Sequence, residues 1–207
     1  MSWDVSSSSP LDWAVAVRTL PGETESGDLH LVTPAPDGVL VAVADGLGHG
    51  GEAAAASRAA VDLLQQFSEE SLPALFRHCH RGLMNTRGVV MSLASFSPRD
   101  STMTWLGVGN VEGTLFHADV TTRRRSSAML LRGGVVGYQL PPLNPSTVSI
   151  QRGDTLIVTT DGIHSDFTQR LILSGPAQQI ADRIMAEHWK ETDDALVLVA
   201  RYLGGAQ

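Results

Sequence analysis

Four aspartate-bearing segments lie far apart in the chain of 207 residues, each at the end of an apolar, strand-like run. They are residues 26–28, 45–50, 161–162 and 193–194, which carry Asp28, Asp45, Asp161, Asp193 and Asp194. One acidic residue at a strand end is common, but four such segments predict carboxylates that converge on a hard metal ion. Mg²⁺ and Mn²⁺ prefer carboxylate, carbonyl and water oxygens, and they commonly keep several waters when they act on phosphate esters. A metal-dependent phosphatase is therefore the leading hypothesis.

The segment that begins at Asp45 directly follows the apolar run 39–44. Gly46 allows a tight turn there and exposes its carbonyl as a possible oxygen ligand. A helix is expected just beyond the following glycines, and its N-terminus favours anions. A simple Asp-Gly hairpin turn is the alternative, but it does not explain why an apolar run again ends in Asp-Gly at Asp161. Asp193 and Asp194 precede an apolar run instead, and on their own they are equally typical of a loop or a helix cap.

The bulk properties predict one globular domain. Hydrophobic residues make up 43% of the chain, the mean hydropathy is close to zero, and no apolar run approaches the roughly 20 residues that span a bilayer. The first ten residues have neither the basic nor the apolar region of a secretory signal. The single cysteine, Cys79, excludes an internal disulfide and a cysteine-rich zinc site. We therefore expect a cytoplasmic protein.

The formal net charge of −7 disfavours broad electrostatic binding to nucleic acid or to an anionic membrane. The basic run at residues 123–125 is more typical of a solvated loop, with a phosphoprotein contact as the alternative. His78, Cys79 and His80 splay apart if they are helical, so we expect structural roles for them. Asp166 is interpreted as an ordinary loop residue rather than a ligand of a further metal ion.

The order of the elements predicts an α+β fold with antiparallel sheets. Residues 1–10 are expected to form a flexible tail and residues 11–207 a single domain. Helices are predicted over residues 52–64, 72–84 and 177–188. Strands are predicted over residues 11–18, 28–33, 39–44, 89–96, 102–108, 113–117, 128–131, 147–150, 155–160 and 195–202.

The motif set resembles that of the metal-dependent (PPM, type 2C) Ser/Thr protein phosphatases, and more narrowly their compact SpoIIE/RsbX-like bacterial branch. Residues 43–50, 159–162 and 193–200 are similar to the signatures of that branch. Residues 81–90, 107–111 and 133–138 resemble the RsbX-like, stressosome-associated phosphatases. The resemblance extends from residue 11 to residue 202 and is specific as a set.

The resemblance implies an αββα sandwich, in which two antiparallel sheets pack together between helices, with a two-metal centre at one edge. Asp45 would bridge two Mn²⁺ or Mg²⁺ ions, and the Gly46 carbonyl would bind one of them. Asp161 and Asp193 would hold the other ion, and Asp28 would be a further ligand or orient a water. Asp45, Asp161 and Asp193 would then act in catalysis through a water that the metal ions activate. Residues 39–44 and 156–160 are expected to be adjacent, central, buried strands.

The resemblance also implies a partner class, namely phosphorylated STAS-domain proteins of a stressosome or partner-switching pathway. The enzyme would reset a stress signal, with no nucleic acid or membrane partner, and we expect a monomer. Two alternatives stay open: a phosphatase of a free anti-anti-sigma factor, and a non-catalytic module that binds phosphoproteins.

Two departures from the larger relatives of the family predict a narrow substrate range. Glu23 and Glu25 occupy the region where those relatives carry a phosphate-binding arginine. Leu47 stands where they have a histidine directly after Asp-Gly, and His49 follows two residues later.

Overall fold

The computed structural model describes residues 9–119, 125–169 and 171–205. The strands, in chain order, are β1 (Leu11–Arg18), β2 (Asp28–Ala35), β3 (Gly38–Gly46), β4 (Val89–Ser97), β5 (Thr102–Val108), β6 (Glu112–Phe116), β7 (Ser126–Ala128), β8 (Leu131–Arg132), β9 (Ser146–Ser149), β10 (Thr155–Thr159) and β11 (Ala195–Tyr202). The helices are α1 (Gly51–Gln66), α2 (Leu72–Gly82) and α3 (Ala177–His188), and a short 3₁₀ helix covers Ser165–Gln169.

These elements form four layers. The first sheet has the strand order β1-β11-β10-β6-β7, and the second has the order β2-β3-β4-β5-β8, with β9 also paired to β5. All pairings are antiparallel except the two-residue pairing of β5 with β8. Helix α3 packs on β1 and β11 of the first sheet, whereas α1 and α2 pack on the second. The expected αββα sandwich is confirmed.

The alternation of side chains along β3 explains how one strand serves two cores. Val41 and Val43 belong to the core between the sheets, whereas Leu40, Ala42 and Ala44 belong to the core under α1 and α2. The sequence of a strand with both faces covered is a continuous apolar run, because successive side chains point to opposite faces and both faces are buried. The same alternation places Asp45 on the face of Val43, toward the other sheet.

The small side chains of α1 bring that helix close to the second sheet. Ala53, Ala56 and Ala60 are fully buried, and alanine combines high helix propensity with little bulk. Helix α1 therefore begins close behind the strand that carries Asp45.

The structure corrects two sequence-based expectations about strands. Residues 39–44 and 156–160 are central and buried, but they are not adjacent in one sheet, since β3 and β10 belong to different sheets. Both contribute side chains to the core between the sheets. Sequence periodicity alone does not distinguish strands that share such a core from strands that pair. Residues 128–131, expected as one strand, are divided between β7 and β8, which join different sheets.

Several further expectations can be placed on the structure. Residues 1–8 of the expected tail lie outside the described residues, as do Arg123 and Arg124 of the basic run. Within the described residues, no helix is long and apolar enough to cross a membrane. On α2, Cys79 is buried, His78 stacks on Phe67 and His80 accepts a hydrogen bond from the Gly137 backbone, so the three side chains splay apart as expected.

Candidate metal centre

Asp28 and Asp45 lie directly opposite each other in the hairpin of β2 and β3. The tight turn between Ala35 and Gly38 sets this register, so the first residue of β2 pairs with the penultimate residue of β3. Like charges placed opposite each other on neighbouring strands repel. The hairpin therefore holds two carboxylates at an electrostatic cost.

Asp161 and Asp193 reach the same end of the sandwich from the first sheet. Asp161 lies two residues beyond the end of β10, and Asp193 lies two residues before the start of β11. These strands are antiparallel neighbours, so the end of one lies beside the start of the other. The chains approach so closely that a Cβ on Gly162 would lie 2.0 Å from the Asp194 carbonyl oxygen. Glycine is therefore required after Asp161.

A cleft of about 410 Å³ opens where the two sheets meet, and Asp45, Asp161 and Asp193 all line it. Its other lining residues are Leu47, Gly48, His49, Val90, Gly109, Asn110, Gly133, Val135 and Thr192. Asp28 is only 2% exposed and lies beneath the surface, opposite Asp45. The structure thus brings together the four aspartates that were expected from the sequence to be metal ligands, Asp28, Asp45, Asp161 and Asp193.

Burial and mutual repulsion disfavour negative charge on these groups. Burial, followed by the charges of the neighbouring aspartates, raises the pKa of Asp45 to about 9. Burial also raises the pKa of Asp28 to about 7, although a hydrogen bond from Thr160 opposes this shift. The pKa of Asp193 is raised as well, first by desolvation. All three shifts describe a site that lacks positive charge.

Neighbouring polar groups fix the orientation of these aspartates. Thr160 Oγ1 donates to Asp28 Oδ2 at 2.6 Å and so joins the two sheets, while the same oxygen accepts from the Leu196 backbone at 2.8 Å. Asn110 Nδ2 donates to Asp161 Oδ2 at 2.9 Å. The indole of Trp189 donates to the Asp193 carbonyl oxygen at 3.1 Å.

Asp194 has a structural role that differs from that of Asp193. Its carboxylate is almost fully buried and accepts hydrogen bonds from the backbone nitrogens of Leu20 and Gly27, at 2.8 and 2.7 Å. These bonds hold the loop that leads into β2, and therefore the start of the strand that carries Asp28.

Gly46 lies at the closest contact between β3 and α1. A Cβ at this position would lie 2.1 Å from the Ala53 carbonyl oxygen. The Gly46 backbone nitrogen donates to the Gly27 carbonyl oxygen at 3.0 Å, which links the two acidic motifs of the second sheet.

The donor set fits hard divalent cations. Carboxylate oxygens are the ligands that Mg²⁺ and Mn²⁺ prefer, and a cation relieves the repulsion that raises these pKa values. Among the described residues, no three Asp, Glu, His or Cys side chains are arranged so that they could hold a metal ion by themselves. Mg²⁺ commonly completes its coordination with waters, so two or three protein oxygens per ion suffice.

Sequence reasoning gave no role to several residues at this site. Asn110 lies in a segment that was singled out, and Thr160 precedes Asp161, but nothing in their spacing predicts contacts with carboxylates from other strands. His49 lines the cleft, and its Nδ1 lies 2.6 Å from Glu23 Oε1. Asp166, interpreted from the sequence as a loop residue, lies instead on the short 3₁₀ helix, outside the cleft lining, and pairs with His188 at 3.1 Å.

Comparison with known proteins identifies the family. The model of the family described as Stage II sporulation protein E (SpoIIE) matches residues 35–203. The chain belongs to the SpoIIE family. Its four layers of helices and sheets are the fold of the PP2C-type structures that it resembles.

Three matches, one to a protein sequence and two to solved structures, show what this SpoIIE-family chain resembles. The phosphoserine phosphatase RsbX of Bacillus subtilis (strain 168) is 23% identical over 181 residues, which cover 87% of this chain and 89% of RsbX. One solved chain comes from work on the bacterial stressosome, described as a modular system adapted to control secondary messenger signaling. It is 29% identical to this chain with a TM-score of 0.84, and the match covers 92% of this chain and 99% of that one. RsbX in complex with magnesium has a TM-score of 0.81 at 22% identity, covering 92% and 94%.

Proposed function

We propose that this SpoIIE-family chain is a Mn²⁺- or Mg²⁺-dependent protein phosphatase that hydrolyses phosphoserine or phosphothreonine on STAS-domain proteins. The substrates would belong to a cytoplasmic stressosome or partner-switching pathway, and dephosphorylation would reset the signal. One observation carries the proposal: Asp28, Asp45, Asp161 and Asp193 come from two sheets to one end of the sandwich, beside an open cleft.

The proposed ligands of two metal ions are the carboxylates of Asp45, Asp161, Asp193 and Asp28, together with the Gly46 carbonyl. Asp45 would serve both ions, a role supported by its position opposite Asp28 and in the cleft lining that it shares with Asp161 and Asp193. When bound, two such ions lower the pKa of a water for attack on phosphorus and offset the negative charge of the phosphate.

The chain's own residues hold these ligands in place before substrate arrives. Thr160 fixes Asp28 and Asn110 fixes Asp161, each through a hydrogen bond to one carboxylate oxygen. The other oxygen of each carboxylate can then serve a metal ion. Ligands held in this way need little rearrangement when the ions bind, which favours a defined geometry.

The choice of substrate rests on two of the similar proteins. RsbX is a phosphoserine phosphatase, and the solved chain with 29% identity comes from work on the stressosome. This chain covers most of the length of each. Leu47, an apolar side chain, lines the cleft, which supports recognition of the partner through surfaces outside the metal centre.

The decisive experiment is release of phosphate from purified phospho-STAS proteins with Mn²⁺, with Mg²⁺ and with EDTA. We expect metal-dependent release that Asp45→Asn abolishes. Faster release from a free anti-anti-sigma factor than from stressosome proteins would assign the enzyme to the other substrate. Tight binding of phosphoproteins without any release would identify a non-catalytic binding module.

A further inference from the structure

Lys190 is the single lysine among the 15 lysines and arginines of the chain. It lies three residues before Asp193, and its Nζ donates to the Asp161 carbonyl oxygen at 2.5 Å. We propose that Lys190, which contacts Asp161 but is not itself among the residues lining the cleft, binds the phosphoryl group of a substrate bound there. This inference rests on the proposed function and adds to it a substrate-binding residue.

The charge of the site calls for such a cation. Four ligand carboxylates and two divalent ions sum to zero formal charge, and a phosphate monoester then adds two negative charges. Asp194 contributes a further buried carboxylate beside the site. A positively charged side chain that meets the phosphoryl oxygens stabilises this excess negative charge, and its effect is larger where solvent is partly excluded.

Lys190 is held firmly at both ends of its side chain. Its backbone nitrogen donates to the Gly162 carbonyl oxygen at 2.9 Å, next to the bridge between Ile163 and Trp189. Glu191 follows in the left-handed region at a φ of 60°, an uncommon conformation for a residue other than glycine. An ammonium held in place in this way loses little conformational freedom when it binds a ligand.

The ammonium keeps capacity for a ligand. It has three N–H donors, of which the Asp161 carbonyl oxygen takes one. In the part of the chain that the structure describes, no carboxylate oxygen lies within 4.0 Å of Lys190 Nζ. Its charge is therefore not neutralised by a direct ion pair, although it lies beside a proposed metal ligand.

Two arginines near the same cleft serve as matched comparisons. The guanidinium of Arg87 lies against Gly48 and forms an ion pair with Glu52. Arg132 is exposed on β8 and precedes Gly133, which lines the cleft. Arg87→Gln and Arg132→Gln remove the same formal charge as Lys190→Gln, so they separate a general loss of positive charge from a specific contact.

Calorimetric titration of the Mn²⁺-saturated 207-residue chain with inorganic phosphate tests the proposal without reference to turnover. We expect Lys190→Gln to raise the Kd of phosphate by about 10-fold or more, as for loss of a charge-assisted hydrogen bond. Lys190→Arg should retain part of the affinity, and the two arginine variants should change it less than about threefold. The Mn²⁺ affinity, titrated separately, should change little in Lys190→Gln.

An unchanged phosphate Kd in Lys190→Gln, or an equal loss in either arginine variant, would overturn the proposal. So would a variant that binds Mn²⁺ more weakly but binds phosphate normally once Mn²⁺ is saturating, because Lys190 would then only hold the Asp161 turn.

Amine labelling gives a second test that needs no variant. Acetylation of Lys190, followed by mass spectrometry of its peptide, should slow when phosphate is added to the Mn²⁺-saturated wild-type chain, and an unchanged rate would contradict the contact.

A wild-type protein that binds phosphate through Lys190 but hydrolyses no phosphoprotein would refute the proposed function and leave this inference standing.

Discussion

At the scale of single residues, Asp45 combines a proposed function with a cost to the metal-free fold. Its raised pKa means that the folded chain resists ionisation of this carboxyl, whereas the unfolded chain does not. We expect Asp45→Asn to abolish metal-dependent turnover while it raises the melting temperature in EDTA at pH 8. For a domain of this size, each kcal/mol gained in the free energy of unfolding raises the melting temperature by about 2–4 °C. Near-normal Mn²⁺-dependent activity in this variant would refute the metal assignment.

The same carboxyls predict a pH dependence for the metal-free protein. Because the folded-state pKa values of Asp28 and Asp45 lie above their usual value, their stabilising contribution is complete below pH 4 and is lost as pH rises through about 7 and about 9. Thermal unfolding in EDTA should therefore show stability falling from pH 5 to pH 9 as far as these groups contribute. Asp45→Asn should reduce the slope, and an unchanged slope would indicate that other groups dominate.

Asp193 and Asp194 are neighbours with different expected phenotypes. Asp193→Asn should lower Mn²⁺ affinity and turnover with little change in stability, because its carboxylate lines the cleft. Asp194→Asn should retain metal-dependent activity but lose about 1–3 kcal/mol of stability, because one of the two backbone N–H groups that Asp194 accepts from, those of Leu20 and Gly27, loses its acceptor. Manganese titration and chemical denaturation separate the two effects, and the opposite result would exchange the two roles.

At the scale of elements, the contact between β3 and α1 depends on Gly46. Gly46→Ala places a methyl group against the Ala53 backbone, which cannot move without displacing the helix. We expect a loss of at least about 1–3 kcal/mol, typical of overpacking, and weaker Mn²⁺ binding.

Gly51→Ala is the matched control for Gly46→Ala. A Cβ at Gly51, the exposed first residue of α1, would meet no atom within 4 Å. The unfolded chain would lose conformational freedom, so stability should stay the same or rise by up to about 1 kcal/mol. Equal destabilisation by both variants in chemical denaturation would contradict the packing argument.

The sequence predicted most of these elements because their patterns are local. Helix α3 and strands β5 and β11 have the bounds expected from apolar periodicity and turn residues. The expectation that β3 and β10 are adjacent was wrong, because buried apolar strands have the same sequence pattern whether they pair in one sheet or share a core from two sheets. The four carboxylates were found from their strand-end positions, whereas Asn110 and Thr160 were not, because their partners lie on distant strands.

At the scale of the whole molecule, substrate recognition is expected to use surfaces beyond the cleft. Apolar Leu47 and His49 line the cleft, and His49 Nδ1 lies 2.6 Å from Glu23 Oε1. Binding energy from a docked protein can position the phosphate for reaction. We expect kcat/KM on a phosphorylated STAS-domain protein to exceed that on a phosphopeptide of the same local sequence by about 10-fold or more, which needs only about 1.4 kcal/mol of additional binding. Equal values would indicate a generic phosphatase.

The four carboxylates come from both sheets, so a bound metal ion would affect the mechanical stability of the sandwich. Asp28 and Asp45 belong to one sheet, and Asp161 and Asp193 extend from the other. An ion bound by both pairs is a reversible cross-link between the halves of the sandwich, in a chain whose one cysteine cannot form an internal disulfide. Separation of the sheets would have to break that link, so metal loading should slow unfolding as well as enable chemistry. Unfolding would then be slowest in the metal-bound state, which is also the proposed active state.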